Sequence, residues 1–523
     1  MNPFVEELIP PPDPVRCCEQ LDGLPYRLFL DSAATGTRLG RYSFLSADPV
    51  AVVRSKGPRT ECLERQGPAD CLRQGYGGPP KLRAKAEAGH YERRSVVDGD
   101  ALSLVRALLA PHAADPVPGL PPFQGGAAGY LAYDWGRVLE RHLPAPRHDD
   151  LALPDVVLGV YDWVLAWDHD ESRAWLVSTG LPETSPAVRA RRAAERAAAV
   201  RERLRSSLER SKGARARSIG EIALAPRPST GREAPAPSYS VAGGWWDPGL
   251  ALRSSFTHGG YLEAVARVRE YIFAGDIFQA NLSQRFDLPL GERPWSLYRR
   301  LRTRNAAPFA AYLDFPDAVV LSASPERFLR VTVEGHVETR PIKGTRPRGV
   351  GPEHDAALGQ ALTESPKDRA ENLMIVDLIR NDLSRVCAAG TVRVQELFAL
   401  EHFATVHHLV STVVGRLERG TDALDLVRAA FPGGSITGAP KVRAMEIIAE
   451  IEPSERGVYC GAIGYWSVTG AFDSSIAIRT AVARGGRVYF SAGGGIVADS
   501  DPGEEYRETL HKARGLIDQL APA

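Results

Sequence analysis

Lys343 lies in a short segment whose composition favours a reactive amine. The segment, residues 339–348, reads Thr-Arg-Pro-Ile-Lys-Gly-Thr-Arg-Pro-Arg and places Gly344 directly after the lysine. Cationic neighbours favour the uncharged form of a lysine, so we expect the nearby arginines to lower its pKa. A free amine is the nucleophilic form, and Lys343 is therefore a candidate nucleophile. A surface or anion-binding lysine is the alternative that this segment alone leaves open.

Two pairs of carboxylates, each with a spacing of three residues, form a second chemical feature. Asp368 and Glu371 form one pair, Glu505 and Glu508 form the other, and both stretches are predicted helices. This spacing puts the two acids of a pair on one helix face. Four carboxylates directed at one point would suit Mg²⁺, a hard cation that keeps waters and takes few carboxylates directly. Such pairs are also common on solvated helices, so the spacing alone leaves both interpretations open.

Three further segments carry groups that could hold an anionic substrate. Residues 406–415 predict a buried strand with two adjacent imidazoles, and His408 there is either a satisfied core residue or an acid–base group. Residues 473–480 predict an alternating strand carrying Arg479, whose guanidinium can bind a carboxylate with two hydrogen bonds. The three consecutive glycines within residues 491–500 would bring backbone amides toward an anion.

A glycine-rich loop precedes a predicted long helix. Residues 431–440 read Phe-Pro-Gly-Gly-Ser-Ile-Thr-Gly-Ala-Pro. No Gly-Lys-Ser/Thr follows these glycines, which argues against a nucleotide phosphate loop. Amides at a helix N-terminus suit a carboxylate, and Ser435 and Thr437 could hydrogen-bond a substrate there.

The composition of the 523-residue chain argues against several classes of function. Lys plus Arg and Asp plus Glu number 64 each, so the net charge is zero and predicts no partnership with nucleic acid or an anionic membrane. No apolar stretch is long enough to span a bilayer, and the first residues lack a signal-peptide pattern. Six scattered cysteines without a C-x-x-C motif are typical of reduced thiols. We expect a soluble, cytoplasmic globular protein.

The chain is predicted to have three parts. Residues 1–185 form a β-rich N-terminal domain, 186–250 combine an Arg/Ala-rich helix with a solvated face and a Pro/Gly/Ser-rich linker, and 251–523 form the catalytic domain. A glycine-rich segment at 125–134 predicts close backbone packing. The clearest predicted strands of the first part are residues 27–30, 42–45, 155–161 and 163–167.

Residues 255–519 closely resemble the chorismate-utilising synthases that make anthranilate or aminodeoxychorismate, and residues 25–165 resemble them more weakly. The resemblance rests on the lysine segment, the two acid pairs, the histidine strand, the glycine loop and the triple glycine described above. It implies an α+β fold in which two intertwined sub-domains, each an antiparallel sheet with flanking helices, enclose an active-site cleft. It also makes residues 1–185 an N-terminal domain of the synthase component I type and residues 251–523 a chorismate-binding domain.

The same resemblance implies roles for individual residues. Glu371 and Glu508 would bind Mg²⁺ directly, while Asp368 and Glu505 would support it through water. His408 would stabilise or protonate the hydroxyl that departs from the ring. The residues expected to contact chorismate are Gln279, Ser435, Thr437, Tyr465, Arg479, Gly493, Gly494, Gly495 and Lys512.

The type of reaction is predicted from a few positions. The family's anthranilate enzymes generally carry a small apolar residue where Lys343 stands, whereas the aminodeoxychorismate type carries a lysine. Gln279 replaces the lysine base of the water-adding isochorismate and salicylate synthases. The resemblance thus implies that Lys343 is a covalent nucleophile and that ammonia yields 4-amino-4-deoxychorismate for 4-aminobenzoate and folate. Anthranilate synthesis and a non-catalytic binding protein on this fold are the alternatives.

Two expectations concern other molecules. No Gly-x-Cys-x-Gly elbow of a glutaminase is found, so a separate glutamine amidotransferase subunit is expected to supply ammonia. Asp31 and Ser32 lie in a segment that resembles the family's tryptophan-holding segment, and they are candidate effector-binding residues. Asp31 replaces the usual glutamate, so a structural role is the alternative.

Overall fold

Two large sheets, flanked by helices, form the protein. The computed structural model describes residues 3–66, 90–98, 100–144, 148–214, 239–240, 251–403 and 406–520. One sheet, here called sheet A, has 13 strands, and the other, sheet B, has 12. Strands and helices are numbered in chain order.

Sheet A is built from strands of both halves of the chain. They are β1 (Phe4–Glu7), β2 (Arg27–Asp31), β3 (Tyr42–Ser46), β9 (Trp163–Asp168), β10 (Arg173–Ser178), β11 (Tyr239–Ser240), β12 (Arg253–Ser254), β13 (Gln279–Pro289), β14 (Phe309–Asp314), β15 (Val319–Ser324), β21 (Gly438–Ala439), β24 (Thr480–Arg484) and β25 (Arg487–Ile496).

Sheet B is likewise shared between the two halves. Its strands are β4 (Ala51–Lys56), β5 (Arg59–Gln66), β6 (His90–Asp98), β7 (Gly126–Leu131), β8 (Val156–Tyr161), β16 (Arg327–Val331), β17 (His336–Thr339), β18 (Ile342–Pro347), β19 (Arg393–His402), β20 (Val406–Arg416), β22 (Ala462–Ser467) and β23 (Phe472–Ile476).

The helices lie outside the sheets. They are α1 (Pro14–Gln20), α2 (Ala101–Leu109), α3 (Gly136–Leu139), α4 (Pro186–Ala214), α5 (His258–Phe273), α6 (Pro294–Arg304), α7 (Pro352–Glu364), α8 (Pro366–Ser384), α9 (Ala423–Ala430), α10 (Lys441–Ile451) and α11 (Pro502–Leu520). Short 3₁₀ turns occur at Ala110–His112, Tyr133–Trp135 and Gly434–Ile436.

Three apolar cores set the order of the layers. One core packs helices such as α5 and α11 onto sheet A, for example through Val265 and Leu510. A second packs α8 and α9 onto sheet B, for example through Ile375. A third lies between the sheets, where Phe44 of sheet A and Tyr130 of sheet B are both buried. The layers are therefore helices, sheet A, sheet B and helices, which confirms the predicted α+β class.

The four clearest predicted strands are confirmed as β2, β3, β8 and β9. Every residue of β8 and β9 is buried, because these strands are covered on both faces and read as continuous apolar runs. The predicted close packing at residues 125–134 is also found. A Cβ at Gly126 would overlap the Trp466 carbonyl oxygen, and one at Gly129 would overlap that of Val157.

The two halves of the chain pair directly in both sheets. In sheet A, β2 pairs with β14, with Leu30 opposite Ala311. In sheet B, β7 pairs with β22, with Gly129 opposite Gly464. This interlacing is the intertwined arrangement that the family resemblance implies, whereas the boundaries at 185 and 250 stay a prediction.

The Arg/Ala-rich helix is confirmed as α4, but its charged residues are not all solvated. Arg196 is 1% exposed and its guanidinium lies 3.1 Å from Asp48 Oδ2 and 3.2 Å from Asp162 Oδ1. The expectation of a solvated face is wrong for this arginine, because it pairs with two buried carboxylates in connections between strands. The linker predicted after this helix lies mostly outside the described residues.

The sequence predicts no membrane-spanning segment and predicts reduced cysteines. Over the described residues, no helix combines the length and the apolar composition that crossing a membrane requires. Cys17, Cys18, Cys387 and Cys460 are buried free thiols, as expected of cysteines that do not form a disulfide framework.

We expect Arg196→Ala to lower the free energy of unfolding by about 3–5 kcal/mol, because it leaves the buried Asp162 carboxylate without a described counterion and leaves Asp48 with Arg65 alone. Urea denaturation followed by circular dichroism measures this change. Arg191→Ala is the matched control. Arg191 is 70% exposed, and its ion pair with Glu195 is long at 3.9 Å, so its loss should change stability little. Equal effects of the two substitutions would contradict the structural role of Arg196.

Candidate active site

Both sheets and two helices bring most of the predicted site residues together. Sheet B contributes β18 with Lys343 and β20 with His408, and sheet A contributes the glycines of β25. Helix α8 carries one acid pair and α11 carries the other. The electrostatic contacts of Lys343 reach both helices, since Glu371 of α8 and Glu508 of α11 both act on its amine.

A β-bulge sets the direction of Lys343. Pairing between β18 and β20 shifts between Ile342 opposite Val410 and Thr345 opposite His408, so two residues of β18 face one of β20. Gly344 in this bulge has φ +85°, and a Cβ there would lie 2.9 Å from Asp368 Oδ1. Bulges redirect side chains, and here the bulge and the absent Gly344 side chain bring the Lys343 strand close to the acid pair of α8.

Burial governs the protonation of Lys343. The side chain is 9% exposed, and burial lowers the pKa of its amine; Glu371 opposes the shift and Lys512 reinforces it. Over the described part of the chain, the amine makes no hydrogen bond or ion pair with another side chain. The direction of the predicted pKa shift agrees with the structure, but its cause differs.

The neighbouring arginines are occupied elsewhere. Arg340 pairs with Glu401, and Arg346 Nη2 lies 2.9 Å from Asp368 Oδ2. Their charges are balanced by these carboxylates, so the expectation that they lower the pKa of Lys343 is wrong. Desolvation of the amine replaces them as the cause.

The two acid pairs differ in how their members are already bound. Asp368 accepts from Arg346, and Glu505 Oε1 accepts from Ser500 Oγ at 2.7 Å. Burial raises the pKa of Glu371, and the nearby Asp368 and Glu508 carboxylates add to this rise. The pairs therefore converge from two helices. Among the described residues, Glu371 is the one acid of the four whose carboxyl has no hydrogen bond or ion pair.

Lysines partly neutralise this acidic cluster. Lys512 Nζ lies 2.6 Å from Glu508 Oε1 and donates to the Gly493 carbonyl at 2.9 Å. Burial opposes ionisation of Glu508, but Lys512 and other lysines lower its pKa overall. Lys367 of α8 lies 3.9 Å from Glu505 and so links the two helices. Lys512 is thus paired with Glu508, and its expected place near the substrate carboxylate stays a prediction.

The donor set fits Mg²⁺ with a few direct carboxylates. Within the described ranges, no three His, Cys, Asp or Glu side chains converge closely enough to hold a metal by themselves. Mg²⁺ commonly takes one or two carboxylates and fills its octahedron with water and substrate oxygens. Glu371 and Glu508 suit the direct positions, and Asp368 and Glu505, fixed by Arg346 and Ser500, suit the outer ones.

The triple glycine allows β25 to lie against α11 and β13. A Cβ at Gly494 would lie 2.9 Å from Glu505 Oε2 and 3.4 Å from Glu508 Oε1, and one at Gly495 would overlap the Gln279 amide. The pairing of β25 with β24 ends at Phe490. Beyond that point alternate amides of β25 face away from β13, which leaves some of them available to an anion.

His408 is a buried, neutral imidazole. Its Nδ1 lies 2.9 Å from Thr345 Oγ1, and its buried Nε2 has no hydrogen-bond partner within the described residues. Burial lowers the pKa of His408 to about 3, with Arg479 lowering it further and the Gly344 backbone opposing. Near neutral pH the free Nε2 can hydrogen-bond a hydroxyl, but the ring does not carry the extra proton of an acid.

Arg479 does not lie in a strand, contrary to the sequence prediction. Strand β23 of sheet B ends at Ile476 and β24 of sheet A begins at Thr480, so Arg479 lies where the chain crosses between sheets. Its φ of 50° is in the left-handed region, which costs a non-glycine residue about 1–3 kcal/mol. Burial lowers its pKa, and among the described residues no carboxylate pairs with it. This guanidinium is therefore available to an anion.

Gln279, Ser435 and Thr437 lie at the same end of β13. Gln279 is buried and its Oε1 has no partner among the described residues. Ser435 Oγ donates to Glu326 Oε1 at 2.6 Å, and Thr437 Oγ1 donates to the Gly433 carbonyl at 3.0 Å. The two hydroxyl protons are thus committed, and the oxygens can only accept from a substrate.

Glu326 is a site residue that the sequence analysis missed. Burial raises the pKa of its carboxyl to about 7, while the Ser435 hydrogen bond and the charge of Lys343 lower it. A group with this pKa can take and return a proton near neutral pH. Its only sequence feature is a single acid between Pro325 and the first residue of β16, and a lone acid has no spacing pattern.

Tyr465, Asp31 and Ser32 line a second cavity of about 350 Å³ that does not include Lys343 or His408. The Tyr465 ring stacks on another aromatic ring and does not lie beside the acid pairs, where the family resemblance would have it contact chorismate. Asp31 accepts from Tyr298 Oη at 3.0 Å and from Arg302 Nε at 2.7 Å. Its carboxylate is therefore paired within the protein, while the cavity itself has the size of a small ligand.

Comparisons with known proteins agree with this geometry. The family described as chorismate binding enzyme matches residues 71–518. An aminodeoxychorismate synthase component 1 from Klebsiella aerogenes is 40% identical over 501 residues, covering 96% of this chain and 95% of the relative. An anthranilate synthase component 1 from Streptomyces coelicolor is 45% identical over 423 residues, covering 80% and 77%.

A solved structure shows the same architecture. The crystal structure of anthranilate synthase component I from Streptococcus pneumoniae TIGR4 superposes with a TM-score of 0.67 at 29% identity, covering 91% of this chain and 92% of that one. The family match spans most of the chain, and the Klebsiella aerogenes relative aligns over nearly its full length. The chain therefore belongs to the chorismate binding enzymes.

Proposed function

We propose that the chain is the chorismate-binding component of an aminodeoxychorismate synthase, replacing the 4-hydroxyl of chorismate with ammonia on the route to 4-aminobenzoate and folate. The observation that carries this proposal is the buried amine of Lys343, whose pKa is lowered and which faces acids of both helices. Near full-length similarity to aminodeoxychorismate synthase component 1 from Klebsiella aerogenes supports it.

Chorismate carries two carboxylates, and the site offers separate groups for them. Arg479 and the free amides of β25 suit one carboxylate. Glu371 and Glu508 would hold Mg²⁺ beside the other, with Asp368 and Glu505 in support, and the bound ion would neutralise that carboxylate's charge. These contacts orient the ring with one face toward Lys343.

The first half of the reaction forms a bond to Lys343. Glu326 takes a proton from the Lys343 ammonium, and the free amine attacks ring carbon C2. Both ring double bonds shift, from C1=C2 to C1=C6 and from C5=C6 to C4=C5, as the C4–O bond breaks, and the departing hydroxyl takes the proton from Glu326 to leave as water. His408 Nε2 lies free to hydrogen-bond this hydroxyl.

The second half reverses the electron flow. Ammonia attacks C4, both ring double bonds shift back, and the C2–N bond breaks so that Lys343 departs as an amine. The new C4 ammonium returns its surplus proton to Lys343. Each half needs one proton transfer, which a carboxyl with a pKa of about 7 performs near neutral pH.

Anthranilate synthesis is the second candidate, because the Streptomyces coelicolor anthranilate synthase component 1 is 45% identical to this chain over 423 residues. Direct attack of ammonia at C2 would be needed for that product. In the proposed orientation of chorismate, the Lys343 side chain would occupy the face from which this attack would come, and we therefore favour 4-amino-4-deoxychorismate.

Ammonia is proposed to come from a glutamine amidotransferase. The relatives are named as component 1, which implies a partner component. A glutaminase elbow is not found in the sequence, so the partner would supply that activity.

We expect Gly494→Ala to weaken Mg²⁺ binding about tenfold or more, because the new Cβ would lie 2.9 Å from Glu505 Oε2 and displace the acids of α11. Titration calorimetry with Mg²⁺ in the presence of chorismate measures this affinity. Gly291→Ala is the control, since a Cβ there meets nothing within 4 Å. Unchanged affinity in Gly494→Ala would show that the metal lies elsewhere.

The pH dependence should report on Glu326. The carboxyl must be ionised to take the Lys343 proton, so kcat/KM should rise with pH through about 7. Ser435 lowers the pKa of Glu326, and Ser435→Ala should therefore move this rise to higher pH. Glu326→Gln should remove the rise and slow turnover roughly 10²- to 10⁴-fold. A pH profile identical in all three proteins would exclude Glu326 as the proton carrier.

Lys343→Ala tests the proposed function itself. Wild-type protein mixed with chorismate and quenched should show a covalent adduct by intact-protein mass spectrometry, and the variant should not. The variant should lose most aminodeoxychorismate synthesis, and ammonia could then reach C2 to give 2-amino products. Anthranilate from the wild type, or wild-type rates from Lys343→Ala, would contradict the proposal.

Nitrogen delivery gives a further prediction. The purified chain should turn over chorismate with ammonium salts but not with glutamine, and glutamine should work only after a partner amidotransferase is added. Product formation followed by chromatography distinguishes these cases. Glutamine-dependent turnover by the isolated chain would contradict the predicted need for a partner.

A further inference from the structure

A hydrogen-bond network behind the Lys343–His408 site ties β18 to α7 and β20. Its centre is Asp355 in α7, whose Oδ1 accepts from His407 Nε2 at 2.9 Å and from the Gly349 amide at 2.8 Å. Arg348 donates to the same carboxylate with Nε at 2.8 Å and Nη2 at 2.6 Å. Arg348 also holds the pKa of Asp355 well below its usual range, so the carboxylate stays charged.

His407 is completely buried and both of its ring nitrogens are used. Nε2 contacts Asp355, and Nδ1 lies 2.7 Å from His402 Nδ1. A neutral ring satisfies both contacts when Nε2 donates to the carboxylate and Nδ1 accepts from His402. A buried imidazole with two fixed partners has one orientation, and His407 therefore acts as a rigid link between β20 and α7.

The network lies where the pairing of β18 is least determined. The bulge at Lys343 and Gly344 interrupts the register, which resumes with Thr345 opposite His408 and Arg346 opposite His407. A slip of one residue in a strand turns its side chains to the other face. Contacts beyond the bulge must therefore determine where Lys343 points.

The same network also supports the imidazole of His408. Arg348 Nη1 donates to the Phe403 carbonyl at 2.9 Å, and the Phe403 ring packs edge-on against the His408 ring at 5.2 Å between centroids. Asp355 thus connects, through Arg348 and His407, to both strands that carry the reacting groups. Asp355, Arg348 and His407 have no place in the reaction proposed above.

We infer that the hydrogen bond from His407 to Asp355 is a positioning contact, which fixes the register of β18 on β20 and so holds Lys343 close to the acid pair of α8. The inference rests on the proposed function for its effect on turnover. Its effect on Lys343 can be measured without chorismate.

Two substitutions at one position separate the contacts of His407. The amide nitrogen of Gln reaches about as far as His Nε2, so His407→Gln keeps the donor to Asp355 and loses the contact with His402. The shorter side chain in His407→Asn keeps a polar atom near His402 and loses the hydrogen bond to Asp355.

We expect His407→Asn to lower kcat roughly 10- to 100-fold with KM for chorismate changed less than about threefold, because misplacement of reacting groups mainly slows the chemical step. His407→Gln should retain most of the wild-type kcat.

The second readout is the rate at which acetic anhydride acetylates Lys343, measured by peptide mass spectrometry on the full chain without chorismate. We expect His407→Asn to change this rate several-fold and His407→Gln to leave it near the wild-type value. His336→Asn is the control, because His336 is an exposed histidine in β17 of the same sheet. Asp355→Asn should reproduce the effects of His407→Asn and serves in its place if that variant does not fold.

The outcomes are separable. A His407→Asn protein with a lowered Tm but wild-type kcat and Lys343 acetylation would overturn the inference, since the contact would then serve stability alone. Equal losses in His407→Gln and His407→Asn would also overturn it, because the Asp355 contact would not be the one that matters. If the wild type makes no aminodeoxychorismate, the proposed function fails, while the acetylation rates still test the positioning of Lys343.

Discussion

Removal of the Lys343 amine from water is the condition on which the rest of the site depends. A buried ammonium is costly unless it is paired, and the protein supplies the opposing charges of Glu371 and Glu326 without a direct ion pair. Burial consequently disfavours the charged form of the amine and lowers its pKa. The same burial raises the pKa values of Glu326 and Glu371, so one desolvated volume sets the protonation of the proposed nucleophile, proton carrier and metal ligand.

The two-sheet architecture makes this volume. Sheet B provides Lys343 and His408, sheet A provides the glycine strand, and one helix from each layer supplies an acid pair. Close approach is possible because Gly344 and Gly494 leave no side chain between strand and helix. Arg479 lies at the crossing from one sheet to the other, where a strained backbone directs its guanidinium.

Local rules predicted the parts of the site that are local in the structure. The helical acid pair at Asp368 and Glu371 was predictable, since three-residue spacing on a helix is a property of the helix itself. Arg479 was assigned to a strand because its neighbours alternate, and the change of sheet that ends the strand is a tertiary feature. Burial was the main property of the site residues that the sequence patterns did not predict. It, rather than nearby arginines, lowers the pKa of Lys343, and it makes a lone acid, Glu326, into an acid–base group.

The most direct test of this account is an NMR titration of the Lys343 amine in protein labelled with ¹⁵N-lysine, assigned by the loss of its signal in Lys343→Arg. Exposed lysines titrate with a pKa of about 10.4. The account predicts that Lys343 titrates below that range in the free protein, because burial disfavours its charged form. A pKa at or above the ordinary lysine value would contradict the central role of desolvation and, with it, the assignment of Lys343 as a nucleophile.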